Sequence, residues 1–285
     1  MAAVTEAPAG LPAGTSADAQ RARRRSYPVW RWIILIVAGL YFVIPLYAAF
    51  QFTGMKAFGQ VFSQVGFSDA IILSIKLAVI TTVLTLVLMV PTTIYVHLRL
   101  PAIRPLLESI TILPIVIPPV VLILGVLDVS PGSLKGTPYL LALVYVVLAM
   151  PFAYRSLDAG LRSLDLKTLV DASNSLGAGW PSTLWRVILP NLRTAVLSAT
   201  VLTVALVLGE FTMASLDQYQ TFPVWIVNFD QTSGPVSVAA SLFALFMTWI
   251  FLLAITMIGS RRARRLGGGQ VDLVTVTRQE TGDTR

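Results

Sequence analysis

Six strongly apolar segments alternate with polar connections along this chain. A helix needs roughly 20 such residues to cross the hydrocarbon core of a bilayer. The first segment holds no charged residue, whereas Lys76 and Pro91 interrupt the second near its two ends. The pattern predicts an all-α membrane protein with six transmembrane helices, over residues 32–52, 70–96, 108–127, 139–154, 194–216 and 236–258.

Composition supports a membrane protein. Of the 285 residues, 55% are hydrophobic and only 12% are charged; a soluble domain carries about 25% charged residues. The net charge of +7 does not indicate nucleic-acid binding, because the arginines cluster beside apolar segments. The chain has no cysteine, which excludes disulfides and thiolate-bound metals. The single histidine, His97, has no metal-binding partners in its short basic connection, and we expect it to be solvated at the interface.

The distribution of Lys and Arg predicts the orientation of the helices. Of the 21 basic residues, eighteen precede the first segment or fall in the second, fourth and last connections. Lys56 and Lys135 lie in the alternate connections, and Lys76 lies inside a segment. Basic residues accumulate on the cytoplasmic side of membrane proteins. The chain is therefore expected to place both termini, and the connection around residue 177, in the cytoplasm.

Prolines and one glutamate interrupt two of the apolar segments. Pro114, Pro118 and Pro119 remove helical hydrogen bonds from the third segment, and irregular helices often line a transport pathway. A packing kink explains these prolines equally well. Glu210 is the one ionisable residue of the fifth segment, and it should face protein or water. It is either a hydrogen-bond partner for a neighbouring helix or a second subunit, or a pathway residue that favours a cationic substrate.

The longest polar interruption is the stretch DASNSLGAGWPSTLWRVILP, residues 171–190. Gly177 and Gly179 can take positive φ at little cost, and Pro181 suits the first turn of a helix. The stretch predicts a short helix, a break at residues 177–179, and a second short helix that stops at Pro190.

This stretch resembles the EAA loop of permease subunits of ATP-binding cassette (ABC) importers. Asp171-Ala172-Ser173 stands for the Glu-Ala-Ala start, Gly177 for the glycine, and Leu189-Pro190 for the end. Asp replaces Glu and Ser replaces the second Ala, which preserves charge and small size. In the family this loop is the coupling helix that docks on the cytoplasmic ATPase. The resemblance therefore implies that the ATPase-coupling residues are Asp171, Ala172, Gly177, Ala178, Leu189 and Pro190.

The resemblance also implies an architecture and partners. It implies the MetI-like type I importer permease fold, in a bacterial cytoplasmic membrane, with a second permease subunit, ATPase subunits and an extracytoplasmic binding protein as partners. No cofactor is expected, because ATP is bound by the ATPase and this chain lacks a GxxxxGK[ST] loop. The expected divisions are a disordered cytoplasmic tail (1–26), a first helix with its external loop (27–67), the permease core (68–260) and a basic, then polar, cytoplasmic tail (261–285).

The function expected from the sequence is that of a non-catalytic subunit that forms the translocation pathway. The segments LGAGWPSTLWRVILPNL and LGEF resemble permeases of the polyamine, iron(III), phosphonate, thiamine and sulfate class more than those for sugars. The segment LPIVIPPVVLILG resembles the proline-rich segment of polyamine, iron and thiamine permeases. A mildly negative balance in the external connections favours a polyamine such as spermidine or putrescine, with the other solutes as alternatives. An ion-coupled secondary transporter, an intramembrane enzyme and a scaffold are weaker alternatives, because neither internal repeats nor a catalytic cluster is present.

Overall fold

The computed structural model describes residues 29–267 of the chain, and the side chains of residues 30–257. Helices and their connections make up all of this described part, which contains no strand. The all-α fold class is confirmed. The predicted tail at residues 1–26 and most of the predicted tail at 261–285 lie outside the described residues.

Eleven α-helices follow one another between residues 29 and 267. A short 3-10 turn, Pro101–Ile103, and a π-helical turn, Leu184–Ile188, join them in two places. The helices are α1 (Val29–Val61), α2 (Phe67–Arg99), α3 (Arg104–Val116), α4 (Pro119–Val129), α5 (Pro138–Arg162), α6 (Leu166–Ser175), α7 (Trp180–Thr183), α8 (Leu189–Gly209), α9 (Thr212–Leu216), α10 (Phe222–Asp230) and α11 (Gly234–Gly267).

Five helical spans among the described residues are long and apolar enough to cross a membrane. They are α1, α2, α5, α11 and the continuous run from α7 through α8. The pair α3 and α4 makes a sixth if it crosses as one bent unit. The predicted number of six therefore depends on this pair.

The third apolar segment is not the continuous helix that the sequence predicts. Helix α3 ends at Val116, α4 begins at Pro119, and the helices are bent by 97° at the break. Ile117 has φ −78° and ψ 124°, an extended conformation. A residue before proline is pushed out of the helical region by the proline ring, so Pro118 explains the break.

The fifth apolar segment also differs from its predicted extent. Helix α8 ends at Gly209, Glu210 is extended with φ −80° and ψ 123°, and α9 follows as a separate short helix. The next connection, predicted as a loop, contains the helix α10. Helix α11 continues to Gly267, beyond the predicted start of the basic tail.

Two compact units divide the chain, residues 1–48 and residues 49–285. The described part of the first unit is helical from Val29 onward. In the second unit this helix has a break at Gly54, whose φ of 65° and ψ of 159° are outside the helical region. Glycine tolerates that conformation because it lacks a Cβ.

Helices α2, α5 and α8 pack against one another and form the centre of the second unit. Their fully buried side chains include Ile94, Leu157 and Leu192. Gly160 of α5 lies directly against Ala195 of α8, where an added Cβ would overlap with the Ala195 Cβ. Small residues let membrane helices approach closely, so this contact sets the α5–α8 spacing.

Candidate functional site

Helix α6 begins with a side-chain cap. The Asp165 carboxylate accepts hydrogen bonds from the Thr168 hydroxyl at 2.7 Å and from the Thr168 backbone N–H at 3.3 Å. The hydroxyl bond first, and then the backbone bond, hold the pKa of Asp165 below its usual range. An aspartate at this position satisfies N–H groups that have no partner inside the helix. The cap therefore determines where the polar stretch becomes helical.

Gly177 ends α6 in a left-handed conformation, with φ 76°. The Gly177 N–H donates to the Asn174 carbonyl at 2.9 Å, and the Ala178 N–H donates to the Ser173 carbonyl at 3.1 Å. This pair of bonds is the Schellman motif, which favours glycine at its turning residue. The predicted turn at Gly177 is confirmed. Gly179 has φ −73° and does not share the conformation.

The helix does not stop at Pro190, contrary to the prediction from the sequence. From Trp180 it runs through α7 and the π-helical turn directly into α8, with Pro190 in the first turn of that helix. Proline is tolerated there because its missing N–H is not needed in a first turn. Pro181 lies in the first turn of α7, as predicted.

One buried contact joins α6 to α7. The hydroxyl oxygens of Ser173 in α6 and Thr183 in α7 lie 2.9 Å apart. Leu176, at the tip between these two helices, is 89% exposed. Asp171, Ala172 and Gly177 are also exposed, whereas Ala178, Leu189 and Pro190 are half-buried. We call residues 166–188 the coupling segment, because they contain most of the residues predicted to couple to an ATPase; the segment is a hairpin with an apolar tip.

A buried carboxylate lies beside the coupling segment. Asp158, in the last turns of α5, is 7% exposed. Its Oδ2 lies 2.7 Å from Arg162 Nε, and its Oδ1 accepts a hydrogen bond from Arg104 Nη2 at 3.2 Å. The Asp158 side chain thus connects α5 to the start of α3.

His97 also belongs to this charged cluster, so the prediction of a solvated histidine is wrong. The His97 side chain is 8% exposed, and its Nε2 lies 3.1 Å from Asp158 Oδ1, without hydrogen-bond geometry. Its Nδ1 lies 2.9 Å from the Thr93 carbonyl oxygen. The packing of α2 on α5 buries this ring, and the sequence around His97 contains no sign of that contact.

The pathway candidates lie at the two helix breaks. Pro114 is buried within α3, and Pro118 and Pro119 are exposed at the bend. Glu210 lies at the other break, and the short helices that follow the breaks, α4 and α9, pack on each other. The structure therefore brings together the helices that follow the two breaks, whereas Pro114 lies in α3, before the first break.

Glu210 accepts three hydrogen bonds. Tyr145 donates its hydroxyl to Glu210 Oε2 at 2.8 Å. The backbone N–H groups of Met213 and Ala214 donate to the carboxylate at 2.9 and 3.3 Å. A carboxylate at a helix N-terminus stabilises the unpaired N–H groups there. Glu210 therefore holds α9 onto α5, which agrees with the partner role left open above.

Sequence reasoning missed Tyr145 and the central position of Asp158. Tyr145 lies within an apolar helix, where a tyrosine gives no sign that its hydroxyl meets a carboxylate. For Asp158 there is one local signal, because Arg162 follows four residues later on the same helix face. That spacing predicts the pair but not the burial.

The sequence of the helical core matches a known protein family. Residues 89–266, more than half of the chain, match the family model described as "Binding-protein-dependent transport system inner membrane component".

Three relatives and one solved structure illustrate the similarity. The chain is 29% identical over 246 residues to the molybdenum transport system permease protein ModB of Mycobacterium bovis, covering 79% of this chain and 93% of that protein. It is 33% identical over 133 residues to ModB of Haemophilus influenzae, covering 44% and 58%. It is 28% identical over 132 residues to the sulfate transport system permease protein CysW of Synechococcus elongatus, covering 44% and 46%.

The solved structure is that of a bacterial alginate ABC transporter in complex with an alginate pentasaccharide-bound periplasmic protein. One of its chains matches with a TM-score of 0.61 and 17% identity, and the match covers 88% of this chain and 97% of that one. At this identity the likeness establishes the fold.

Proposed function

We propose, because this chain belongs to the family of binding-protein-dependent transport system inner membrane components, that it forms one half of the translocation pathway of an ATP-driven importer. The chain is an integral membrane protein and an ABC importer permease subunit. In our proposal a second permease subunit supplies the other half, a separate ATPase supplies the energy, and an extracytoplasmic protein delivers the solute.

We propose the coupling segment as the contact with the ATPase. The observation that carries this proposal is the exposed apolar tip at Leu176, held in place by the Schellman turn at Gly177 and the Ser173–Thr183 contact. A hairpin held by such contacts can insert its exposed apolar tip into a groove of the partner, and the hairpin then moves when the partner moves. Since α7 continues directly into α8, motion of the hairpin passes into a membrane-spanning helix without an intervening flexible loop.

The orientation is part of the same proposal. The coupling segment must lie in the cytoplasm if it meets an ATPase, and the positive-inside rule gives that side independently. In this orientation the breaks at Pro118 and Glu210 lie toward the outer side. We propose that α4 and α9, which follow these breaks and pack on each other, contribute to the outer part of the pathway.

The substrate class we propose is a tetrahedral oxyanion such as molybdate or sulfate. Two of the relatives described above carry molybdenum transport in their names and one carries sulfate transport. None of them is named as a polyamine permease, so the polyamine expectation gains no support from them. The hydrogen bonds of Glu210 also weaken that expectation, because they occupy the carboxylate that was to attract a cation.

Uptake by cells that lack the chromosomal copy of this gene tests both parts. We expect that uptake of radiolabelled molybdate or sulfate depends on the chain and on the partner ATPase, whereas spermidine uptake does not. Leu176→Asp should abolish uptake, because a charge at the tip opposes insertion into an apolar groove. Val65→Asp is the matched control for expression and insertion, because Val65 is 91% exposed, like Leu176, and lies in the connection between α1 and α2. Spermidine uptake that requires the chain would restore the polyamine assignment, and normal uptake by Leu176→Asp would remove the tip from coupling.

A further inference from the structure

We propose that the cavity between the ends of α2 and α5 and the helix α6 binds a phosphate-like oxyanion group. The cavity measures about 880 Å³. Its lining has more positive than negative side chains. The positive ones are Arg99, Arg104, Arg162 and Lys167, and the carboxylates are Asp165 and Asp171. Lys167 and Asp171 belong to the coupling segment, whereas the three arginines and Asp165 lie outside it.

The guanidinium groups of Arg104 and Arg162 are held in place by a carboxylate outside the cavity. Asp158 does not line the cavity, but it contacts Arg104 through Nη2 and Arg162 through Nε. Each arginine is thereby oriented and keeps further N–H donors for another acceptor. Among the described residues, the one other carboxylate in an ion pair with either arginine is Glu108, whose Oε2 lies 4.0 Å from Arg162 Nη2.

Donors outnumber acceptors in this cluster. Within the described part of the chain, the buried Arg104 Nε has no hydrogen-bond acceptor, and the approach of His97 Nε2 to Asp158 lacks hydrogen-bond geometry. Leaving a buried charged donor unpaired is costly, so a site of this kind favours an additional anionic acceptor. Asp165 does not serve as that acceptor, because the described hydrogen bonds of its carboxylate come from Thr168 and not from the arginines.

The chemistry of the lining fits an oxyanion carried by phosphate, sulfate or a phosphodiester. Arginine binds such groups through two parallel N–H bonds, and lysine adds a point charge. Basic pockets between helix ends on the cytoplasmic side of a membrane are also typical sites for anionic lipid headgroups. The same site can therefore be filled from solution or from the bilayer, and the experiment must separate these sources.

The test uses the full chain purified in a neutral detergent and does not depend on transport. Arg99→Gln/Lys167→Gln removes two exposed lining charges that take no part in the Asp158 ion pairs, so folding should be retained. Arg155→Gln/Arg186→Gln removes two exposed basic residues outside the cavity, with the same change in net charge. Binding of inorganic phosphate is measured by titration calorimetry. Retention of phosphatidylglycerol against phosphatidylcholine is measured by native mass spectrometry after delipidation and re-addition.

We expect the lining variant to bind at least about tenfold more weakly than the wild type, since each lost charge-assisted hydrogen bond corresponds to about that factor. The control variant should bind as the wild type does. Loss of phosphate binding identifies an ion from solution as the ligand, and loss of phosphatidylglycerol retention alone identifies the lipid. Absence of both ligands from the wild type, or equal losses in the two variants, would overturn the proposal. Because no ATPase is present, failure here leaves the transport role unaffected.

Discussion

The Tyr145 hydroxyl donates a 2.8 Å hydrogen bond to Glu210 Oε2, which connects the middle of α5 to the break between α8 and α9. Tyr145 is fully buried, and the same carboxylate accepts the first N–H groups of α9. A carboxylate within an apolar segment thus accepts three hydrogen bonds from the protein itself. The position of α9, and of α4 packed on it, depends on this contact.

Removing the Tyr145 hydroxyl should destabilise the permease. A hydrogen bond to a charged group contributes about 1.5–3 kcal/mol, so Tyr145→Phe is expected to lower the free energy of unfolding by that order. Glu210→Ala should lower it further because all three bonds are lost, with Glu210→Gln between the two. Thermal unfolding in detergent measures the order. Tyr139→Phe, at an exposed position of the same helix, is the control, and equal midpoints for the two tyrosine variants would contradict the argument.

Alanine should be tolerated at Gly179 but not at Gly177. Gly177 has φ 76° with no atom within 4 Å of an added Cβ, so backbone conformation is the only obstacle there. A left-handed alanine costs about 1–2 kcal/mol. Gly179 has φ −73°, and Pro181 Cδ lies 4.0 Å from the added Cβ. We expect Gly177→Ala, and more strongly Gly177→Val, to reduce solute-stimulated ATP hydrolysis by the reconstituted importer at normal complex yield. Equal activities of Gly177→Ala and Gly179→Ala would separate the turn from coupling.

The contact between Gly160 and Ala195 should not accept another methyl group. Because the added Cβ would overlap with the Ala195 Cβ, Gly160→Ala must separate α5 from α8, and overpacking of this kind costs about 1–3 kcal/mol. The second substitution Ala195→Gly should restore much of the loss. Gly125→Ala, on α4 with no atom within 4 Å, is the matched control. The unfolding midpoint decides, and a Gly160→Ala protein as stable as the wild type would show that the helices have room to adjust.

Cysteine labelling should establish the orientation. The native chain has no cysteine, so a single introduced thiol gives the whole signal. Ser133 lies in the connection between α4 and α5, Ser163 lies between α5 and the coupling segment, and both are exposed. In intact cells, Ser133→Cys should react with an impermeant maleimide and Ser163→Cys should react only after lysis. The opposite pattern would reverse the proposed topology.

Much of this fold follows from the order of apolar and polar residues. Segments of about 20 apolar residues must be helical in a bilayer, since no water is available there for unpaired backbone groups. The turn at Gly177 and the first-turn position of Pro181 also follow from local chemistry, because φ preference and a missing N–H act on the chain without any partner. These features belong to single segments, and the sequence alone predicts them.

Only the tertiary structure decided which charged and polar groups meet. The sequence predicts a solvated His97 and a Glu210 with two open roles, but packing places His97 beside Asp158 and Tyr145 beside Glu210. The partners in each pair are more than sixty residues apart, and no periodicity along the chain encodes their distance. The prolines show the same division. Each one restricts its own neighbours, yet the chain bends by 97° at Pro118 and continues as a helix through Pro190, and local proline chemistry does not predict that difference.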